Sequence, residues 1–154
     1  MSVLAPTKRH ERLIPLTHDH HHALGHARRL KLAANEPDTE RLRRADEFLA
    51  FFESETLDHF REEEEQVFPL VVDETEAEPV LVQLMMEHLR IHSLVHALTA
   101  EVAAGAPSGE SLAMIGAFLE EHIRFEEKTA FPLIERLAGR ALDAVELSPR
   151  NRTA

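Results

Sequence analysis

The stretch HFREEEEQVFPL at residues 59–70 is matched, residue class for residue class, by HIRFEEKTAFPL at residues 122–133. Both copies follow the pattern H-x-R-x-E-E-x-x-x-F-P-L. Because an α-helix turns once per roughly 3.6 residues, the opening histidine and the glutamate four residues later, His59 and Glu63 in the first copy, lie on one helix face. One such pair is usually an exposed polar contact, but two copies in line with apolar stripes favour a metal site between helices.

The composition limits the classes of protein and of site that need to be considered. The chain has 154 residues, which suits a single domain spanning residues 1–154. It carries 17 basic and 28 acidic residues, a net charge of −11 that argues against a nucleic-acid or anionic-membrane partner. No apolar run is long enough to span a bilayer, so we expect a cytoplasmic protein. Without cysteine, any metal must be bound by nitrogen and oxygen ligands.

Apolar residues recur at helical spacing in four segments that are separated by short turns. These segments predict an all-α protein, an up-down-up-down four-helix bundle over about residues 16–138. A polar N-terminal arm precedes the bundle, residues 140–147 are predicted to form a short extra helix, and residues 148–154 a frayed tail. The predicted helices run from the N-cap Thr17 to Ala34, from Glu40 toward Pro69, from Pro79 to Ala104, and from the turn at residues 105–109 to Gly139.

Seven polar residues occupy positions in these stripes where apolar residues are expected. Burying an imidazole or a carboxylate without a partner costs on the order of 1–3 kcal/mol or more, so each needs a compensating partner, and a metal ion is one. We therefore predict as metal ligands His20, His59, Glu63, His88, His92, His122 and Glu126.

The remaining histidines and glutamates near these positions are assigned to the surface. In the first helix His20 fills the gap in the apolar stripe, whereas its histidine neighbours lie to the side. His96 lies at the edge of the third-helix stripe and is assigned a structural role. The residues assigned to the solvated surface are His18, His21, His22, His26, Glu62, Glu64 and Glu65.

The two halves of the chain repeat one another. Asp19-His20 aligns with Glu87-His88, as the two copies of the long motif align, so the first helix pair resembles the second. An internal duplication of this kind places two adjacent metal sites around a pseudo-twofold axis. Seven donors are too many for one tetrahedral ion, and a nitrogen-rich set with carboxylates suits iron or manganese better than calcium or magnesium.

We assign the predicted donors to two metal ions that share the glutamates and an oxo or hydroxo bridge. His88, His92 and His122 bind one ion in this hypothesis, and His20 and His59 bind the other. The second ion then has one protein ligand fewer, which leaves a position for a small molecule.

The order His, H-x-x-x-E, H-x-x-x-H, H-x-x-x-E, with Phe-Pro after each H-x-x-x-E, resembles the hemerythrin and HHE cation-binding domain family over about residues 16–137. The resemblance implies a non-haem centre of two iron ions that binds dioxygen reversibly. Oxygen-carrying members usually place an aspartate five residues after the fourth-helix histidine, whereas this chain has Glu126 at four and Glu127 at five. Glu126 reproduces the first H-x-x-x-E and is chosen as the bridging ligand, with Glu127 as the alternative.

Three functions remain open at this stage, beside a bundle whose buried histidines are merely hydrogen-bonded. The leading hypothesis is a di-iron protein that binds dioxygen or a related small molecule. The second is a di-iron enzyme that acts on peroxide or oxidises a substrate, and the third is an iron-storage or iron-sensing module. An enzyme needs a proton donor near the open position, and the candidates are His21, His22, His26, His96, Glu62 and Glu127.

Overall fold

The computed structural model describes residues 8–150, which are helical for most of their length and contain no strand. Helix α1 is an α-helix over Ile14–Ala33, and α2 extends over residues 38–67. Helix α3 is an α-helix over Glu78–Ala103, and α4 extends over residues 109–138. The prediction of an all-α protein is confirmed, and the four helices are consistent with a four-helix bundle.

Two of the four helices are interrupted by π-helical turns. Helix α2 consists of α-helical Asp38–Phe51 and Leu57–Glu62, each followed by a five-residue π segment, Phe52–Thr56 and Glu63–Val67. Helix α4 has one π segment, Glu126–Ala130, between α-helical Gly109–Phe125 and Phe131–Ala138. Single π turns inside α-helices are frequent at functional sites, and here two of the three begin at the glutamate of the repeated motif.

The helix ends differ from the prediction in physically simple ways. Helix α1 begins three residues before the predicted cap Thr17, because Pro15 suits the first turn of a helix, where no intrahelical N–H bond is made. Pro69 lies in the 3₁₀ turn Phe68–Val71 that follows α2, whereas Pro132 lies in the first turn of an α segment, so α4 continues past it.

The segments outside the four helices are short. The 3₁₀ turn Thr75–Ala77 precedes α3. Gly139 ends α4 with a positive φ of 53°, as predicted, and the 3₁₀ turn Gly139–Ala144 replaces the short helix expected there. Residues 1–7 of the predicted arm and residues 151–154 of the predicted tail lie outside the described part of the chain. None of the helices in residues 8–150 has the length and apolar character that a membrane span requires.

Each of α1 and α3 packs against both α2 and α4. The contact between α1 and α4 is close at Gly116, where an added Cβ would lie 2.7 Å from the carbonyl oxygen of Ala27 and 2.6 Å from Cγ of Lys31. Glycine is therefore required sterically at this crossing.

The apolar core forms two clusters, one toward each end of the molecule. On α1, Leu16 belongs to one cluster and Ala23 to the other, with His20 between them. The same order holds on α3, where His88 lies between Leu84 and Ile91. The buried polar residues therefore form a layer across the middle of the core.

Candidate metal centre

The structure brings together six of the seven residues that were predicted as metal ligands. All six side chains are buried, and the two carboxylates are 0% exposed. Their donor atoms form two groups, in each of which the atoms lie within 4.8 Å of one another. The first group contains His20, His59, Glu63 and Glu126, and the second contains His88, His122 and Glu126.

Glu63 lies between an imidazole of α2 and an imidazole of α3. Its Oε2 atom is 3.2 Å from Nε2 of His59, and its Oε1 atom is 3.5 Å from Nε2 of His88. Because His59 and His88 belong to different donor groups, one carboxylate reaches both of them.

Glu126 makes the equivalent contacts from α4. Its Oε1 atom is 3.0 Å from Nε2 of His122 and 3.1 Å from Nε2 of His20. The neighbouring Glu127 instead lies on the far side of His20, with Oε2 at 2.7 Å from Nδ1 of that ring. Of the two glutamates considered from the sequence, Glu126 is therefore the one that faces the donor groups.

Each of the four buried imidazoles contacts a carboxylate through Nδ1, the ring nitrogen on the side away from the donor groups. The Nδ1 atom of each ring lies 2.7–2.8 Å from a carboxylate oxygen of another helix. A proton on Nδ1 that is donated to this oxygen leaves Nε2 as a lone-pair donor facing inward, the orientation that outer-shell carboxylates impose on metal-binding histidines. The pairs are His20–Glu127, His59–Asp19, His88–Glu64 and His122–Glu87.

Most of the inward-facing atoms lack hydrogen-bond partners; the exceptions are Nε2 of His20 and Oε1 of Glu126, which lie 3.1 Å apart. Within the described chain, three imidazole Nε2 atoms and three carboxylate oxygens of these groups are buried without a hydrogen bond. Buried polar atoms are nearly always paired, since leaving one unpaired costs on the order of 1–3 kcal/mol. A metal ion between the nitrogens and oxygens satisfies all of them, so the donor set fits a metal. The atoms are His59 Nε2, His88 Nε2, His122 Nε2, Glu63 Oε1, Glu63 Oε2 and Glu126 Oε2.

Electrostatics also favours a cation at this position. Burial opposes protonation of His122, but the charge of Glu126 and the hydrogen bond to Glu87 outweigh it and raise the pKa of His122 to about 10. Neighbouring carboxylates likewise raise the pKa of His20, His59 and His88 in spite of burial. Burial would raise the pKa of Glu126, but the charge of His122 holds it well below its usual range. The buried carboxylates therefore attract positive charge, from protons or from metal ions.

His92 is the predicted ligand that the structure does not bring to the others. Its side chain is exposed, although the i,i+4 spacing places it one turn after the buried His88. The reason is Phe60, whose ring stacks on His88 at 3.9 Å between centroids and meets the His92 ring edge-on at 6.0 Å. The aromatic ring fills the space through which His92 would have to reach the donor groups.

The repeated Phe-Pro signal places an aromatic ring beside one histidine of each half. Phe131 stacks on His20 with ring centroids 5.5 Å apart, and Phe68 lies 6.0 Å from His88. Both rings belong to the apolar cluster at that end of the molecule and form its contact with the polar layer.

A small cavity opens beside the imidazoles of His20 and His59. Its volume is ≈ 20 Å³, and most of its wall is apolar. A cavity of this size has room for about one water-sized molecule. The wall residues that are not candidate ligands are Asp19, Ala23, Phe51, Glu55, Thr56, Phe60, Leu119 and Ile123.

Of the residues assigned to the surface, some are exposed in the structure and others are half-buried. His18, His21 and Glu65 are exposed, as expected for surface residues, and His96, which was assigned a structural role, is exposed as well. His26 is half-buried and stacks on Phe51 at 4.0 Å between ring centroids. His22, also half-buried, lies with Nδ1 3.2 Å from Oε1 of Glu55.

Two of the acidic residues that were assigned to the solvated surface are in fact part of the site. Glu62 is buried and accepts a hydrogen bond from the backbone N–H of Ser148, while Glu64 binds His88. Residues 148–150 of the predicted frayed tail are therefore docked on the protein.

The carboxylates that hold the imidazoles were not recognised from the sequence. A signal for them is nevertheless present, because each is adjacent in the chain to a predicted ligand. An acid precedes the histidine in Asp19-His20 and Glu87-His88, and an acid follows the glutamate in Glu63-Glu64 and Glu126-Glu127. Arg9 and Arg150, which bind Glu127 and Asp19, come from outside the helices and carry no such signal.

Comparison with known proteins gave one result. A family model described as the hemerythrin HHE cation binding domain matches residues 14–134, which cover the first three helices, α4 as far as Ile134, and all six clustered residues. Curated proteins and solved structures gave no match.

Proposed function

Because the chain belongs to the hemerythrin HHE cation-binding domain family, we propose that it is a non-haem di-iron protein that binds dioxygen or a related small molecule. In this proposal His20 and His59 hold one iron ion, and His88 and His122 hold the other. Glu63 and Glu126 would be shared by the two ions, together with an oxo or hydroxo group. His92, which lies outside the donor groups, is not included.

The observation that carries the proposal is the position of the two glutamates. Each carboxylate lies within 3.5 Å of one imidazole from each donor group, which is the arrangement of a ligand shared by two ions. A single tetrahedral ion would use four donors and leave two buried side chains without a partner. Imidazole and carboxylate donors together suit iron, although the donor set alone also suits manganese.

The cavity supports a small ligand. It adjoins His20 and His59, and its volume of ≈ 20 Å³ admits a molecule of about the size of dioxygen. Its apolar wall excludes water, which protects a bound ligand from protons. When bound, the two ions would supply the electrons that dioxygen binding requires.

One observation favours the second hypothesis, an enzyme that acts on peroxide or oxidises a substrate. Thr56 and Glu55 line the same cavity, and a hydroxyl and a carboxyl there are groups that could deliver a proton. Neither was among the proton donors considered from the sequence, and two of those, His21 and His96, are exposed.

The repeated contacts support an internal duplication within one domain, as the sequence suggested. Asp19 holds His59 as Glu87 holds His122, and Glu64 holds His88 as Glu127 holds His20. We infer a pseudo-twofold axis that passes between Glu63 and Glu126, with the four helices in up-down-up-down order.

Anaerobic reduction of the iron-loaded protein, followed by exposure to air, tests the function. We expect a new near-ultraviolet charge-transfer absorption, typical of an oxo-bridged pair of ferric ions, to appear as dioxygen reacts. Absorption that returns to the reduced spectrum when dioxygen is removed supports a carrier, whereas sustained consumption of added peroxide supports the enzyme. A reduced iron protein whose spectrum does not change in air contradicts both.

A further inference from the structure

The segment that follows α4 crosses the outside of the metal centre. Residues 145–150, called the C-terminal strap below, begin at Val145, which is buried in the apolar core. The backbone N–H of Ser148 donates to Oε2 of the buried Glu62 at 2.7 Å. The strap ends, within the described chain, at Arg150, whose side chain turns back toward α1 and α2.

Arg150 binds two buried carboxylates at once. Its Nη1 atom lies 2.7 Å from Oε1 of Glu62. On its other edge, Nη2 lies 3.2 Å from Oδ2 of Asp19 and Nε lies 3.4 Å from Oδ1. The planar guanidinium therefore faces both oxygens of Asp19 while it is anchored to Glu62.

Asp19 is the carboxylate that holds His59. Its Oδ2 atom accepts from Nδ1 of His59 at 2.7 Å, and the same oxygen accepts from Nη2 of Arg150. Arg150, Asp19 and His59 thus form one continuous chain of charged and polar contacts that ends at the inward-facing Nε2 atom. An aspartate held at both oxygens cannot rotate away from the imidazole without breaking the arginine contacts.

Among residues 8–150, the other half of the site lacks this arrangement. Glu87 holds His122 as Asp19 holds His59, but its second contact is the neutral side-chain amide of Gln83, at 2.9 Å. At the position of Glu62 the second copy of the motif has Phe125, which offers no anchor for an arginine. The strap therefore acts on one of the two donor groups only.

We propose that Arg150 is a positioning residue that holds Asp19 against His59 and so retains the metal ion bound by His20 and His59. This inference rests on the proposed two-metal centre. Arg150 touches no candidate ligand oxygen or nitrogen that faces the ions, and it acts through Asp19. Removal of an outer-shell partner typically weakens metal binding about 10–100-fold, and a residue one step further out belongs at the lower end of that range.

The test is the rate at which ferrous iron leaves the fully loaded, anaerobic protein for an excess of a coloured ferrous chelator. Arg150→Gln should release one of its two irons about tenfold faster than the wild type and the other at the wild-type rate. The control is Arg61→Gln, since Arg61 lines the cavity beneath the strap but pairs on the surface with Asp58 at 3.4 Å. This variant should behave as the wild type does.

A second iron-release experiment distinguishes an effect of Arg150 that acts through Asp19 from a general destabilisation of the fold. In an Asp19→Asn background, whose amide oxygen still accepts from His59, Arg150→Gln should add less than about a twofold further increase. An equal acceleration in both backgrounds, an equal acceleration of both irons, or no acceleration at all would overturn the inference. A wild type that binds fewer than two irons would instead contradict the proposed function, so the two failures are distinguishable.

Discussion

Metal binding should release protons from the buried imidazoles, and the number released can be worked out from the structure. The perturbation is the addition of two ferrous ions per chain to the metal-free protein at pH 8.0, without dioxygen. A histidine must lose its Nε2 proton before that nitrogen can bind a metal, so every imidazole that is protonated in the metal-free protein releases one proton.

An ordinary histidine, with a pKa of about 6.5, is only ~3% protonated at pH 8.0, so four of them would release ~0.1 proton. The pKa of His122 is about 10, so this ring is almost fully protonated at pH 8.0 and releases about one proton by itself. The pKa of His20, His59 and His88 is raised as well, so each adds a further fraction. We expect the imidazoles to release at least one proton and at most about four.

A pH-stat titration, in which added base holds the pH during metal addition, measures the release directly. Glu87→Gln is the matched variant, because the hydrogen bond that Glu87 accepts from His122 helps to raise the pKa of His122, and the amide keeps the size of the side chain. Its proton release should be smaller than that of the wild type. A wild-type release near ~0.1 proton, with two ions bound, would refute the electrostatic account of the site.

Three other variants test separate parts of the structure. His92→Ala should keep the full metal content on elemental analysis, because His92 is exposed. A loss of iron in this variant would show that His92 is a metal ligand. Gly116→Ala should lower the free energy of unfolding, measured by urea denaturation, by about 1–3 kcal/mol, because the added Cβ clashes with the carbonyl oxygen of Ala27. The control Gly25→Ala should not lower it, because the nearest atom in contact with its added Cβ, on the Arg29 side chain, is 3.6 Å away. Burial, aided by the charge of Arg29, lowers the pKa of His26 to about 4 in the folded protein. Between pH 6.5 and 4 the unfolded chain therefore binds a proton at His26 that the folded protein does not, and the free energy of unfolding decreases as the pH falls. In urea denaturation between these pH values, metal-free His26→Gln should lose less stability than the wild type.

The helices and the burial of most of the candidate site residues were predictable because both depend on the same periodicity. A helix that must bury one face shows a repeating apolar stripe, and polar residues in that stripe, such as His59 and Glu63, stand out as buried. Both are indeed buried in the structure. Pairing of the stripes also predicted that Glu126 faces the core, since its spacing from His122 copies that of the first motif, and Glu126 is buried in the structure.

What the periodicity could not predict depends on single contacts between helices. The spacing of His92 is correct for the core, but the ring of Phe60 occupies the space next to it. The π segments that begin at Glu63 and Glu126 change the helical repeat, which a constant period of 3.6 residues cannot anticipate. The docking of Arg150 depends on a buried pair of carboxylates that exists only after folding.

Elemental analysis of the protein after expression in iron-replete medium tests the central claim most directly. We expect about two irons per chain in the wild type, and a clear loss of iron in Glu63→Ala and Glu126→Ala, because each removes a ligand shared by both ions. His18→Ala, which changes an exposed histidine of α1, should retain two irons. One zinc and no iron per chain, or an iron content that the loss of either glutamate does not change, would contradict the account.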